Sequence, residues 1–149
     1  MTEDFFSSKP RIGISACLLG QKVRYDGGDK RDRFLTDTFG LHVEWIPVCP
    51  EVEVGMGVPR EPVRLVGDVS DSRMIAERSG KDWTSAMERF ASQRVRALKE
   101  LELSGYIFKK DSPSCGMERV RVYNRGGIPN RAGRGLFASA VMSELPLLP

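Results

Sequence analysis

Apolar positions along the chain fall into short blocks, and three of these blocks run into a cysteine. Ile12-Gly13-Ile14-Ser15-Ala16 leads to Cys17, and Val43-Glu44-Trp45-Ile46-Pro47-Val48 leads to Cys49. Tyr106-Ile107-Phe108 leads to Cys115 through the polar turn Asp111-Ser112-Pro113-Ser114. Short apolar runs bounded by loop formers predict buried strands, here over residues 11–16, 42–48 and 106–108. Residues 62–66 and 73–76 predict a small hairpin off the main sheet, around Gly67-Asp68-Val69-Ser70-Asp71. Residues 119–123 alternate as a further strand. The clearest helix is 82–103, where Trp83, Met87, Phe90, Ala91, Val95, Leu98 and Leu101 recur at helical spacing and charged residues cover the other face. A short helix is expected at 29–38, with Phe34 and Leu35 inward and Gly40 ending it, and a last one at 136–144, ended by Pro146. Residues 50–62 and 125–135, rich in glycine, read as loops.

The order of these elements argues for an α/β fold: three layers around a mostly parallel, Rossmann-like sheet. Parallel neighbours bring their carboxyl ends to one edge, where open α/β folds place ligands. Three thiols distant in sequence then meet in one crevice at the carboxyl ends of the strands.

Composition narrows the classes. A chain of 149 residues suits one domain over 1–149, with 1–10 an N-terminal extension; a domain of this size buries roughly 70% of its unfolded surface. Hydrophobic residues make up 40% and charged residues 29%, ordinary for a globular protein. A net charge of +3 is too mild to argue for nucleic acid. No apolar run approaches the roughly 20 residues of a membrane span, and residues 1–9 do not read as a signal peptide. An odd count of three cysteines without an export signal points to a reducing, cytoplasmic location.

A single cysteine in apolar surroundings is most simply a small core residue, but all three stand beside Gly, Pro or Ser at strand ends. Three thiolates are one ligand short of closing an iron–sulfur or structural zinc site, which leaves a metal position for substrate. Zinc wants a fourth nitrogen or sulfur. The lone His42 starts the strand that ends at Cys49, roughly 23 Å away along a straight strand. A cluster with three cysteines and one open iron fits this inventory best among metal sites. Glu51 and Glu53 follow Cys49, and in an extended segment they point to the same side; either can serve as general base for water. Ser112 and Ser114 can bind substrate, donate to sulfur or simply satisfy turn backbone. Asp26, in Tyr25-Asp26-Gly27-Gly28, reads as a turn acid. Gly133-Arg134-Gly135 precedes the last helix, whose first N–H groups can hold an anion. No complete phosphate-binding fingerprint is present.

Ser15-Ala16-Cys17-Leu18-Leu19-Gly20 with Val23-Arg24-Tyr25-Asp26-Gly27-Gly28, Pro47-Val48-Cys49-Pro50-Glu51 through Gly55 with Pro59-Arg60, and Ser112-Pro113-Ser114-Cys115-Gly116 together resemble the 2-thiouracil desulfurase (desulfidase) family, formerly a domain of unknown function. The resemblance covers nearly the whole chain beyond residue 10. It implies a [4Fe–4S] cluster held by Cys17, Cys49 and Cys115, with a fourth iron that takes the sulfur of a thiopyrimidine. It implies hydrolytic conversion of 2-thiouracil to uracil and hydrogen sulfide, without nucleic acid or membrane as partner. By their offsets from the neighbouring cysteines, Glu53 and Ser112 fall on catalytic positions, while Asp26, Glu51 and Ser114 match the motifs as substrate-binding candidates. Some relatives add a C-terminal domain and act on thionucleosides, so a one-domain chain is expected to take the free base. The rival functions are an enzyme for thionucleosides, an iron–sulfur electron-transfer or scaffold protein, a cluster-free thiol enzyme and a zinc-binding regulatory module.

Overall fold

The computed structural model describes residues 8–149. Two sheets share the strands. The first is three-stranded and wholly parallel: β1 (Arg11–Ser15) lies between β2 (Glu44–Val48) and β5 (Gly105–Ile107). The second has the order β4-β3-β6-β7, from β3 (Val63–Asp68), β4 (Asp71–Ala76), β6 (Val120–Tyr123) and β7 (Pro129–Gly133). Three helices accompany them: α1 (Pro50–Glu53), α2 (Thr84–Glu100) and α3 (Leu136–Glu144). The α/β class and the parallel sheet of the cysteine-bearing strands match expectation. The hairpin β3–β4 stands off that sheet and joins β6 in the second one.

The central strand β1 is buried on both faces. Ile12 and Ile14 are buried, and Gly13 between them lies in register with Tyr106 of β5. A Cβ at Gly13 would collide with the Tyr106 ring, so only glycine lets that ring lie across the strand. The ring also stacks on Phe108, with centroids 4.3 Å apart.

The stripe read on α2 is core. Met87 joins a cluster with Leu65, Met74, Val120 and Val122 of the second sheet. Ala91, Val95 and Leu98 join another with Val48 of β2 and Phe137 and Val141 of α3. One helix thus closes both hydrophobic clusters.

Three local expectations change. Residues 29–38 do not form one helix; a π-helical turn, Phe34–Thr38, passes into a 3-10 turn, Phe39–His42. Phe34 is exposed, not inward, and stacks along the surface on Phe39, which packs on Trp45. Gly40 does not stop the segment; it lets the backbone approach Trp45, since a Cβ there would lie 2.8 Å from Nε1 of that indole. Residues 129–133, expected as loop, pair with β6 as an edge strand; Pro129-Asn130-Arg131-Ala132-Gly133, mostly exposed and without large apolar side chains, carries no strand period. Residues 50–53 form α1, with Pro50 at the first helical position, where its missing N–H costs no hydrogen bond.

Asp82 anchors the start of α2. Its Oδ1 accepts the Thr84 N–H at 2.9 Å, and its Oδ2 accepts from Arg73 at 2.8 and 3.1 Å. The Thr84 hydroxyl in turn accepts the Met74 N–H at 2.8 Å. Hydrogen bonds from Thr84, with Arg73 beyond them, hold the Asp82 carboxyl below its ordinary range. A carboxyl depressed in the folded state stabilises the fold above its unfolded value, about 3.9, and loses that contribution as pH falls through the folded value. Asp82→Ala is expected to cost about 1 kcal/mol at neutral pH. In urea melts across pH, the gap to the parent chain should close below about pH 4.

Candidate functional site

The chain leaves β1 toward β2 on one side and returns in β5 on the other, so the strand order reverses at the carboxyl end of β1. That is the switch point where doubly wound folds open a crevice. Cys17 sits just past β1 in the 3-10 turn Ala16–Leu19. Gly20 closes this turn at φ 87°, and its N–H donates to the Cys17 carbonyl at 3.2 Å. Cys49 follows β2 directly as the N-cap of α1. Cys115 lies in the loop after β5. There the Ser112 hydroxyl oxygen accepts the N–H groups of Ser114 and Cys115 at 3.2 and 3.0 Å. The start of α3 holds the same loop: Gly135, Leu136 and Ala138 donate to the carbonyls of Gly116, Pro113 and Ser114 at 2.7, 3.0 and 3.0 Å. The helix-start N–H groups considered for an anion are thus taken by protein carbonyls. A Cβ at Gly135 would lie 2.5 Å from the Ser114 carbonyl, so the close approach requires glycine.

The three cysteines line one cavity of about 200 Å³, together with Glu51, Arg60, Lys109 and Ser112. Among the described residues, no three His, Cys, Asp or Glu side chains converge on a point fit for a single ion. Three thiols lining one cavity are a donor set that suits a polynuclear centre whose metals each take one thiolate. His42 stands in the turn before β2, at the far end of that strand from Cys49, and adds no nitrogen.

Burial dominates the thiols. It raises Cys17 and Cys49 above the ordinary thiol value and pushes Cys115 up to about 12. Lys109 and Arg24 oppose this at Cys17, the Val52 N–H and Arg60 at Cys49, and the Ser15 hydroxyl at Cys115. In the protein alone these groups are neutral thiols near pH 7, and a cation must stabilise the thiolates. Lys109 lies partly in the cavity wall, where burial lowers its own pKa.

The helical turn at α1 separates the two carboxylates that an extended segment would have aligned. Glu51 faces the cavity. Its Oε1 accepts from Arg60 Nε at 3.1 Å and its Oε2 from the Ser114 hydroxyl at 2.7 Å. Glu53 turns away: its Oε2 accepts the Cys49 N–H at 2.9 Å and its Oε1 accepts from Arg94 at 3.0 Å. Glu53 does not line the cavity, and neither do Asp26 and Ser114. Asp26 closes its own turn, accepting the Gly28 N–H at 2.9 Å. Ser114 is fully buried behind Glu51. Arg60 and Lys109 line the cavity without having been singled out in the sequence; the only signals were Pro59-Arg60 beside the second cysteine motif and a lysine closing the Tyr106-Ile107-Phe108 run.

The family model described as 2-thiouracil desulfurase matches residues 12–149. The chain is 32% identical over 113 residues to the uncharacterized protein YbbK of Bacillus subtilis (strain 168), covering 70% of this chain and 72% of that one. Among solved structures it is similar to the [4Fe–4S]-dependent thiouracil desulfidase TudS, at 34% identity and a TM-score of 0.73, over 91% of this chain and 87% of that one. This chain belongs to the 2-thiouracil desulfurase family.

Proposed function

We propose that this protein hydrolyses thiouracil to uracil and hydrogen sulfide, with a [4Fe–4S] cluster held by Cys17, Cys49 and Cys115. The observation that carries the reading is the convergence of three thiols with the Glu51 carboxylate and the Ser112 hydroxyl on a single cavity at the switch point. When bound, such a cluster supplies an iron without a protein ligand, a Lewis acid for the soft sulfur of a C=S group. Water adds oxygen to the carbon, the C–S bond breaks and sulfur leaves as sulfide, so no net electron transfer is needed.

The protein's own groups define the rest. Ser112 Oγ already accepts two backbone N–H groups, so its hydrogen remains to donate toward a ring oxygen or nitrogen of the substrate. Glu51, fixed by Arg60 and Ser114, presents the cavity's buried carboxylate and takes the proton of the attacking water. Glu53 supports Cys49 through its backbone N–H. The resemblance implied Glu53 as the catalytic carboxylate; we read Glu51 in that role instead, because α1 points the two residues to different neighbours. We read residues 1–149 as a single domain, with 1–10 an extension, residues 1–7 of which lie outside the described part. No helix among the described residues is long and apolar enough to cross a membrane, and we place the protein in a reducing cytoplasm, where three free thiols persist. Neither nucleic acid nor a membrane is needed for the free base to reach the cavity.

Sulfide and uracil released from 2-thiouracil by the anaerobically reconstituted full chain, and not by its iron-free control, are the expected result; release without iron would overturn the reading. Replacing Cys17, Cys49 or Cys115 by Ser should lower both iron content and turnover. Glu51→Gln is expected to keep the cluster absorbance and lose about 10²–10⁴-fold in kcat. Glu53→Gln should retain most of the turnover, and the opposite ranking in steady-state kinetics would return the proton-transfer role to Glu53.

A further inference from the structure

Arg60 makes more contacts within the site than any role in charge balance requires. Its side chain is 7% exposed and its partner Glu51 14%. Nη1 donates to the carbonyls of Val23, at 2.8 Å, and Gly57, at 2.9 Å, while Nε donates to Glu51. Its backbone N–H adds a bond to the Tyr25 carbonyl at 2.9 Å. Val23 and Tyr25 belong to the segment after Cys17, and Glu51 belongs to the helix that Cys49 caps. The Cys49 sulfur also faces the Val23 carbonyl, at 3.8 Å. One planar fork therefore ties two cysteine segments together, using geometry that an ammonium cannot reproduce. Arg60 makes no direct contact with the Cys115 loop, which is held by Ser112 and the start of α3 and meets Glu51 only through the Ser114 hydroxyl.

We propose that Arg60 is a positioning residue that locks the Cys17 and Cys49 segments in their ligand geometry before any metal arrives, while the Cys115 loop keeps its place without it. The consequence for the cluster rests on the function proposed above; the consequence for the protein alone does not.

The test begins with the full chain purified without metal, comparing the parent with Arg60→Gln and Arg60→Lys. Rates of alkylation by iodoacetamide at each cysteine are read by peptide mass spectrometry at one pH. Arg60→Gln should speed labelling of Cys17 and Cys49 about tenfold or more, the signature of local opening, with Cys115 unchanged within about twofold. Removing the cation alone acts in the other direction at Cys49, because Arg60 favours its thiolate, so acceleration there reports opening. Arg60→Lys should restore the rates only in part. Equal acceleration at all three cysteines means general destabilisation and overturns the proposal, as does no acceleration at any of them. In cluster-loaded protein, Arg60→Gln should lose cluster absorbance to a chelator about 10–100-fold faster, the usual range for groups that orient metal ligands; parent-like loss would overturn the proposal for the loaded state. If the parent chain takes up no cluster, the proposed function fails while the labelling result still decides the role of Arg60.

Discussion

The parallel pairing of β1 with both neighbours is the constraint on which the site depends. Ser15 lies in register with Val48, and Ile14 with Ile107, so all three strands end at one edge. The segments that bear cysteines start from that edge. A register slip of one residue would turn every side chain of β1 to the opposite face and bring a bulky isoleucine to the side where only Gly13 leaves room for the Tyr106 ring. The contact of the Tyr106 ring with Gly13 fixes the pairing of β1 with β5 by shape.

Around this edge the protein uses different means to fix each thiol. Cys17 is set by a tight turn closed by a left-handed glycine, Cys49 by a helix start with its N–H on Glu53, and Cys115 by a serine turn docked on α3. The helix α2 holds the arrangement from below. It packs Val48 at the end of β2 through one stretch of its stripe and the second sheet through another. Polar groups at the site are paired, and among the described residues no buried side-chain nitrogen or oxygen lacks a partner.

Much of this was legible in the sequence. The strands that carry the thiols were visible because their apolar runs are short and bounded by loop formers, and α2 because its stripe is long and regular. The meeting of the cysteines followed from assuming parallel neighbours. What escaped the reading was governed by contacts across the fold. Residues 129–133 are mostly exposed edge positions without large apolar side chains, and only pairing with β6 makes them a strand. The segment at 50–53 looked like loop because proline and glycine surround it, yet proline suits a first helical turn. That turn decides which of Glu51 and Glu53 faces the cavity. Arg60 was visible only as part of a motif and without a role, because its bond to the Val23 carbonyl, 37 residues away, exists only once the two cysteine segments are folded together.

Exposure is uneven across the three thiols: Cys17 and Cys115 are buried, and Cys49 is half-buried. The centre therefore has a dry side and a wet side. Small reagents in solution reach Cys49 more readily than the two buried sulfurs. Because Cys49 stands at the N-cap position of α1, any shift of its backbone is felt directly by the short helix that holds Glu51, whereas the deeper Cys115 loop is anchored on α3. The site would fail from one edge inward, losing the order of its carboxylate before the deeper sulfurs are touched.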